Sequence, residues 1–179
     1  MQAALRPSSD VPVIETDRLR MRGHRVEDFP ACCALWSDPV VIRYTTGTPQ
    51  TPEEVWKRIL RYAGLWPLLG YGFWVVEAKA SSEFIGEVGF EGLKRDIQPS
   101  LDRMPEIGWV FSPRVHGKGY ATEAVQAAIA WGDEHFGDRK TCCIIHVENA
   151  ASIRLAEKCG YRQWQASVYK EHDVLLFTR

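Results

Sequence analysis

The stretch Arg114-Val115-His116-Gly117-Lys118-Gly119-Tyr120-Ala121 takes its meaning from what stands on either side of it. Upstream, Glu106-Ile107-Gly108-Trp109-Val110-Phe111 is apolar and β-rich, and Pro113 stops it. Downstream, residues 121–136 have the spacing of an amphipathic helix. A strand, a turn with two glycines and a helix start place a row of backbone N–H groups at a helix N-terminus. Those donors lack intrahelical partners, and the helix dipole adds partial positive charge. Such a place holds a phosphate or pyrophosphate. Gly117 and Gly119 let the backbone approach the anion closely, and Arg114 and Lys118 add positive charge.

Spacing narrows the choice of cradle. A Walker loop needs Gly, four residues and Gly-Lys-Ser/Thr, and that pattern is missing here. A dinucleotide fingerprint needs a third Gly or Ala where this chain has Thr122. What remains, Arg-x-x-Gly-x-Gly, resembles the coenzyme A pyrophosphate loop of the GNAT acetyltransferases. An isolated Gly-x-Gly is more often an ordinary turn; between a strand and a helix it becomes informative.

A second block follows. Residues 140–147 are a β-branched, apolar run. Asn149 is then a good N-cap, Ile153, Leu155, Ala156 and Cys159 supply a buried face, and Gly160 suits the C′ position. The plain reading is a strand and a capped helix. Its pattern Asn149-x-x-Ser152-x-x-Leu155…Cys159-Gly160-Tyr161 also resembles a GNAT segment. There the resemblance implies that the Asn side chain bonds the pantetheine arm and the Ser hydroxyl lies near the coenzyme sulfur. A third match, Thr16-Asp17-Arg18-Leu19-Arg20-Met21-Arg22, is similar to the opening strand of the branch containing the ribosomal-protein N-terminal acetyltransferases. Leu35-Trp36-Ser37-Asp38-Pro39 and His172-Asp173-Val174 resemble the same branch. The matches run in order from about residue 14 to residue 178.

The resemblance implies an α/β GNAT fold: a mixed, mostly antiparallel sheet of six to seven strands with a central splayed parallel pair, flanked by helices. It implies acetyl-CoA as co-substrate, an amine-bearing acceptor, and a monomer or homodimer. The coenzyme would lie along Trp109, Val110, Phe111, Arg114, His116, Gly117, Lys118, Gly119, Tyr120, Ala121, Thr122, Asn149 and Ser152.

Composition sets limits. At 179 residues the chain is near one domain in size and long enough to bury a core. It is 45% hydrophobic and 25% charged, as a globular protein is, and its net charge of −1 gives no reason to expect nucleic acid as primary ligand. No apolar run approaches the ~20 residues of a membrane span. Five cysteines, an odd number including two adjacent pairs, lack Cys-x-x-Cys spacing. They are expected to be reduced packing residues in a cytoplasmic protein without a metal site. Residues 1–13 are expected as a flexible tail and 14–179 as one domain.

The pass along the chain expects strands at 19–22, 71–77, 84–93, 106–111 and 140–147, with a closing hairpin over 163–178. Helices are expected at 26–36, 52–65, 121–136 and after Asn149, and a loop at 94–104.

Acyl transfer from a thioester to an amine needs positioning, a neutral amine, help for the oxyanion and a proton for the thiolate. A backbone N–H near Val110 or Phe111 is the expected oxyanion donor. Candidate bases are Glu106 and Glu87 on neighbouring strands, with Glu171 and His146 as further possibilities; any of these carboxylates is, on the plain reading, a solvated charge. Many GNAT enzymes carry a proton-donating tyrosine seven residues after the Asn, where this chain has Ala156. Ser152 is the substitute implied by the resemblance. Trp56, Trp66, Tyr71, Phe73 and Trp74 fall in the acceptor region of the family, although core packing is the commoner role of such residues. The departure at Ala156 leaves a second function open, an acetyl-CoA-binding sensor without turnover.

Overall fold

The computed structural model describes residues 10–179. Of the tail expected over 1–13, residues 1–9 lie outside the described residues. Pro12 offers its carbonyl to the Trp74 indole N–H at 2.9 Å.

The chain opens with a hairpin of β1 (Ile14–Glu15) and β2 (Leu19–Arg22), then a 3-10 turn at Val26–Asp28. Helices α1 (Phe29–Ser37), α2 (Pro39–Ile42) and α3 (Pro52–Leu69) follow. The 3-10 turn gives way to α1 beside Pro30, the second residue of α1, dividing what the sequence offered as one helix. The start of α3 is fixed by Thr51 and Glu54, whose side chains each bond the other's backbone N–H, with Pro52 at the first helical position. This helix runs four residues past its expected end, through Pro67, to a left-handed Gly70 at φ 76°. Trp66 anchors that extra turn: its Nε1 donates to the Phe73 carbonyl at 3.1 Å and its ring packs edge-on against Trp74 and Trp131.

Strands β3 (Phe73–Ala78), β4 (Glu83–Glu91) and β5 (Glu106–Phe111) lead into α4 (Tyr120–Phe136). Then come β6 (Cys142–His146), α5 (Ala150–Lys158), β7 (Arg162–Tyr169) and β8 (His172–Thr178). The eight strands form one sheet in the order β1-β2-β3-β4-β5-β6-β8-β7. The strand beyond the expected seven is the two-residue β1. Every neighbouring pair is antiparallel except β5 and β6.

Alternation along the strands gives the sheet two apolar faces. Trp74, Val76, Val88, Phe90, Ile107 and Phe111 join Ala124, Val125, Ala128 and Ile129 of α4 in the main core. On the other face α1 and α3 bring together Cys32, Leu35, Trp36, Val55 and Ile59, while Tyr62 stacks on Phe73 at 4.2 Å.

Candidate active site

Strands β5 and β6 touch at one rung only, Glu106 opposite Cys142, and part beyond it. The alternation of backbone groups across this gap follows from two bonds. Ser112 N–H donates to Ile85 of β4 at 2.9 Å, and the Pro105 carbonyl accepts from Cys142 of β6 at 3.0 Å. Neighbouring residues of a strand face opposite sides. Gly108 and Val110 therefore face β4, and Trp109 and Phe111 face the gap. The Phe111 carbonyl is held by His116 Nε2 at 3.1 Å, leaving the N–H groups of Trp109 and Phe111 directed into the opening. Of the two residues expected, Val110 turns its N–H toward β4 and Phe111 turns its N–H toward the gap.

Just beyond β5, a 3-10 turn at Pro113–Val115 and two left-handed glycines, Gly117 at φ 74° and Gly119 at φ 81°, lead into α4. Gly119 is the N-cap, so the N–H groups of Tyr120, Ala121 and Thr122 have no intrahelical acceptors. A Cβ built on Gly117 would meet nothing within 4 Å, so no other part of the described chain packs against that position. Arg114 Nε reaches Ser112 Oγ at 3.4 Å.

Across the gap, the Asn149 side-chain oxygen accepts from Ser152 N–H at 3.1 Å and caps α5. The cap uses the oxygen; the amide NH2 keeps two donors for other partners. Trp109 Nε1 donates to Ser152 Oγ at 3.3 Å. Because an indole N–H can only donate, Ser152 accepts there and its own O–H remains free to turn elsewhere. This contact, which nothing in the sequence spacing announced, joins the two walls of the opening.

Glu87 and Glu106 share the sheet face under α1 and α3 but stand four residues apart along the strands, roughly 13 Å. Glu87 lies opposite Val110, and Glu106 sits at the closed apex of the split. Glu87 is 1% exposed and accepts from His24 Nε2 at 2.8 Å, Trp36 Nε1 at 2.9 Å and Cys32 Sγ at 3.5 Å. Burial pushes its carboxyl upward, but the His24 ring and the Trp36 N–H outweigh burial and hold it below the usual range. Glu106 is gripped at both oxygens by Arg95, each at 2.7 Å. Opposite it, Glu91 is pushed up by burial and by the Glu106 charge, against the pull of Arg61 and Arg95.

His146 lies on β6, level with Val110 if residues are counted from the single rung. Its ring is 5.2 Å from Tyr44 and 5.9 Å from His172. Glu148 N–H donates to His146 Nδ1 at 3.1 Å, so a neutral ring carries its proton on Nε2 and presents a donor there. Glu171 lies exposed in the β7–β8 turn at φ 66°. Trp66, Tyr71 and Trp74 belong to the main core, Phe73 is stacked beneath Tyr62, and Trp56 packs edge-on against Phe29. Sequence reasoning missed His24, Trp36 and Arg95, the partners of the two carboxylates; only the rule that buried carboxylates need partners could have prompted a search for them. Burial pushes the Cys142 thiol up to about 12 and the Cys143 thiol well above its ordinary value, as suits inert packing residues. Among the described residues no group of His, Cys, Asp or Glu is arranged to hold a metal.

The model of the acetyltransferase (GNAT) domain matches residues 18–162. The Bacillus subtilis (strain 168) protein YkkB is 35% identical over 154 residues, covering 81% of this chain and 82% of that one. A GNAT-family acetyltransferase structure from Bordetella pertussis has a TM-score of 0.83 at 29% identity, covering 94% of this chain and 99% of the other. RimL, a ribosomal L7/L12 alpha-N-protein acetyltransferase in complex with coenzyme A, shares the fold at TM-score 0.75 and 18% identity, with 94% and 97% covered. With the split strand pair, the glycine loop at the head of α4 and these likenesses together, the chain belongs to the GNAT acetyltransferase family.

Proposed function

We propose that this protein transfers the acetyl group of acetyl-CoA to a primary amine, a protein N-terminus or a small molecule, by direct attack within a ternary complex. One observation carries the reading: within fourteen residues, 109–122, the chain supplies free backbone donors at both a strand edge and a helix N-terminus, with Ser152 bonded across the gap between them. The loop from Arg114 to Thr122 fits a diphosphate, and Asn149 fits the amide-bearing pantetheine arm.

In the reaction the amine lone pair attacks the thioester carbon. The C–N bond forms, the C–S bond breaks, the nitrogen gives up a proton and the thiolate takes one. The Phe111 N–H supports the oxyanion and the Ser152 O–H bonds the departing sulfur. Glu87 acts through its field, favouring positive charge on the attacking nitrogen from behind Val110. Glu106, locked to Arg95, holds the 94–104 loop at the apex. With both carboxylates engaged, the amine's proton passes to solvent, and rate enhancement rests mainly on positioning.

The test offers acetyl-CoA with a panel of peptide N-termini, polyamines and aminoglycosides, with thiol release as readout. Turnover on one acceptor class is expected. Coenzyme binding without thiol release across the panel favours the second reading, an acetyl-CoA sensor, to which Ala156 in the tyrosine position points.

A further inference from the structure

The turn between β1 and β2 reaches over the head of α4. Arg18 Nη1 donates to the Lys118 carbonyl at 2.9 Å. Its Nε donates to Glu123 Oε2 at 2.6 Å, and Nη2 lies 2.6 Å from the same carboxylate. Its guanidinium stands 4.5 Å from the centre of the Tyr120 ring, and Nη2 is 3.3 Å from where a Cβ on Gly119 would lie. Glu123 Oε1 also accepts from Thr16 Oγ1 at 2.6 Å and from Arg18 N–H at 3.0 Å.

Two consequences follow from these contacts. In a planar trans peptide the carbonyl and the next N–H point in opposite directions. The Gln98–Pro99 bond is the cis peptide among the described residues, so the Lys118–Gly119 bond is trans. Arg18, by holding the Lys118 oxygen on its own side, turns the Gly119 N–H to the other. Glu123, meanwhile, stands in the first turn of α4, where a loose carboxylate would compete with an incoming anion for the positive end of the helix. Its bonds to the turn tie that charge down.

We propose that Arg18 is the positioning residue of the anion loop: it orients the Lys118–Gly119 peptide toward the coenzyme's diphosphate and neutralises Glu123 beside it. The inference rests on the coenzyme reading given above. It assigns the work to the guanidinium's fork, which bonds the Lys118 carbonyl through Nη1 while Nε and Nη2 hold Glu123 Oε2, a geometry an ammonium does not reproduce.

Calorimetry with coenzyme A tests it on wild type, Arg18→Ala and Arg18→Lys, alongside pantetheine, which ends before the diphosphate. The expected result is about a tenfold weaker coenzyme A affinity in both variants, with pantetheine binding unchanged. Wild-type affinity in Arg18→Lys would show that charge alone suffices and would overturn the proposal. So would an equal loss for coenzyme A and pantetheine, which marks general damage to the fold, or an unchanged coenzyme A affinity in Arg18→Ala. If wild type itself does not bind coenzyme A, the coenzyme reading fails first, a result distinct from the other three.

Discussion

Gly117 and Gly47 make a matched pair for testing the cradle. Both have left-handed backbones, at φ 74° and 73°, and at both an added Cβ would meet nothing within 4 Å. They differ in place: Gly117 precedes α4, and Gly47 lies between α2 and α3, its N–H bonded to the Ile42 carbonyl at 2.8 Å. Replacing either by alanine forces an L-residue into the left-handed region, at about 1–2 kcal/mol. A less flexible unfolded chain offsets roughly 0.4–1 kcal/mol of that. The two variants should therefore lose similar stability, on the order of 1 kcal/mol, or about 2–4 °C in Tm for a domain of this size. Only Gly117→Ala places its methyl on the loop proposed to hold the diphosphate. Disturbing one N–H contact to a charged phosphate costs about 1.5–3 kcal/mol, which is roughly 10- to 100-fold in affinity. Urea melts of both variants, with calorimetry against coenzyme A, separate the two effects. Equal stability losses with coenzyme affinity preserved in Gly117→Ala would refute the assignment of this loop.

Asn149→Ala should lower stability by about 1 kcal/mol through loss of the α5 cap and weaken coenzyme A binding by about 1–3 kcal/mol; a fall in Tm with unchanged affinity reduces Asn149 to a cap. Ser152→Ala should slow acetyl transfer about 10- to 100-fold with coenzyme affinity nearly constant, because a bond to the departing sulfur strengthens only in the transition state; parallel losses in rate and affinity contradict that role. With an acceptor of low pKa, Glu106→Gln should leave the pH–rate profile unchanged, and an acidic limb seen in wild type but lost in the variant would return Glu106 to the role of base. Glu91 holds its proton more tightly folded than unfolded, because burial raises its carboxyl pKa. Its contribution is favourable at low pH and is lost as pH rises from the unfolded value through the folded one. Glu91→Gln should accordingly raise Tm at pH 7 and not at pH 4, and a lower Tm at pH 7 would show its ion pairs with Arg61 and Arg95 prevailing.

The fold was legible wherever local chemistry and tertiary contacts agreed. Thr51, Pro52 and Glu54 announced the start of α3, and Asn149 that of α5, because caps are written within four residues. The end of α3 was not legible: Pro67 argues for a stop, and what overrides it is Trp66 bonded to Phe73 and packed on Trp74 and Trp131. The strand, glycine turn and helix over residues 106–136 could be read because they are contiguous. The setting of the carboxylates could not, since Glu87 meets His24 across 63 residues and Trp36 across 51, and no spacing rule spans such distances. Nor could the direction of the Phe111 N–H be read before the ladder to β4 fixed which residues face it.

The single rung between β5 and β6 is the feature from which the site follows. Had the two strands paired along their length, the Trp109 and Phe111 N–H groups would be consumed by the ladder. Leaving a backbone donor unpaired costs about 1–3 kcal/mol where it is buried. Trp109 is only half-buried, so solvent can serve its donor until a ligand replaces it, whereas Phe111 is buried and its donor gains most from a ligand. The strand edge and the head of α4 are joined by the short segment from Ser112 to Gly119, so the distance between the proposed oxyanion donor and the proposed diphosphate loop is set locally. Asn149 and Ser152 arrive from a distant part of the chain, and the Trp109–Ser152 bond holds them in register with that segment. Trp109→Phe removes that bond while keeping an aromatic ring. It should therefore slow acetyl transfer more than it weakens coenzyme binding, and the reverse order, with rate held and affinity lost, would place Trp109 in the coenzyme wall rather than in the alignment of Ser152.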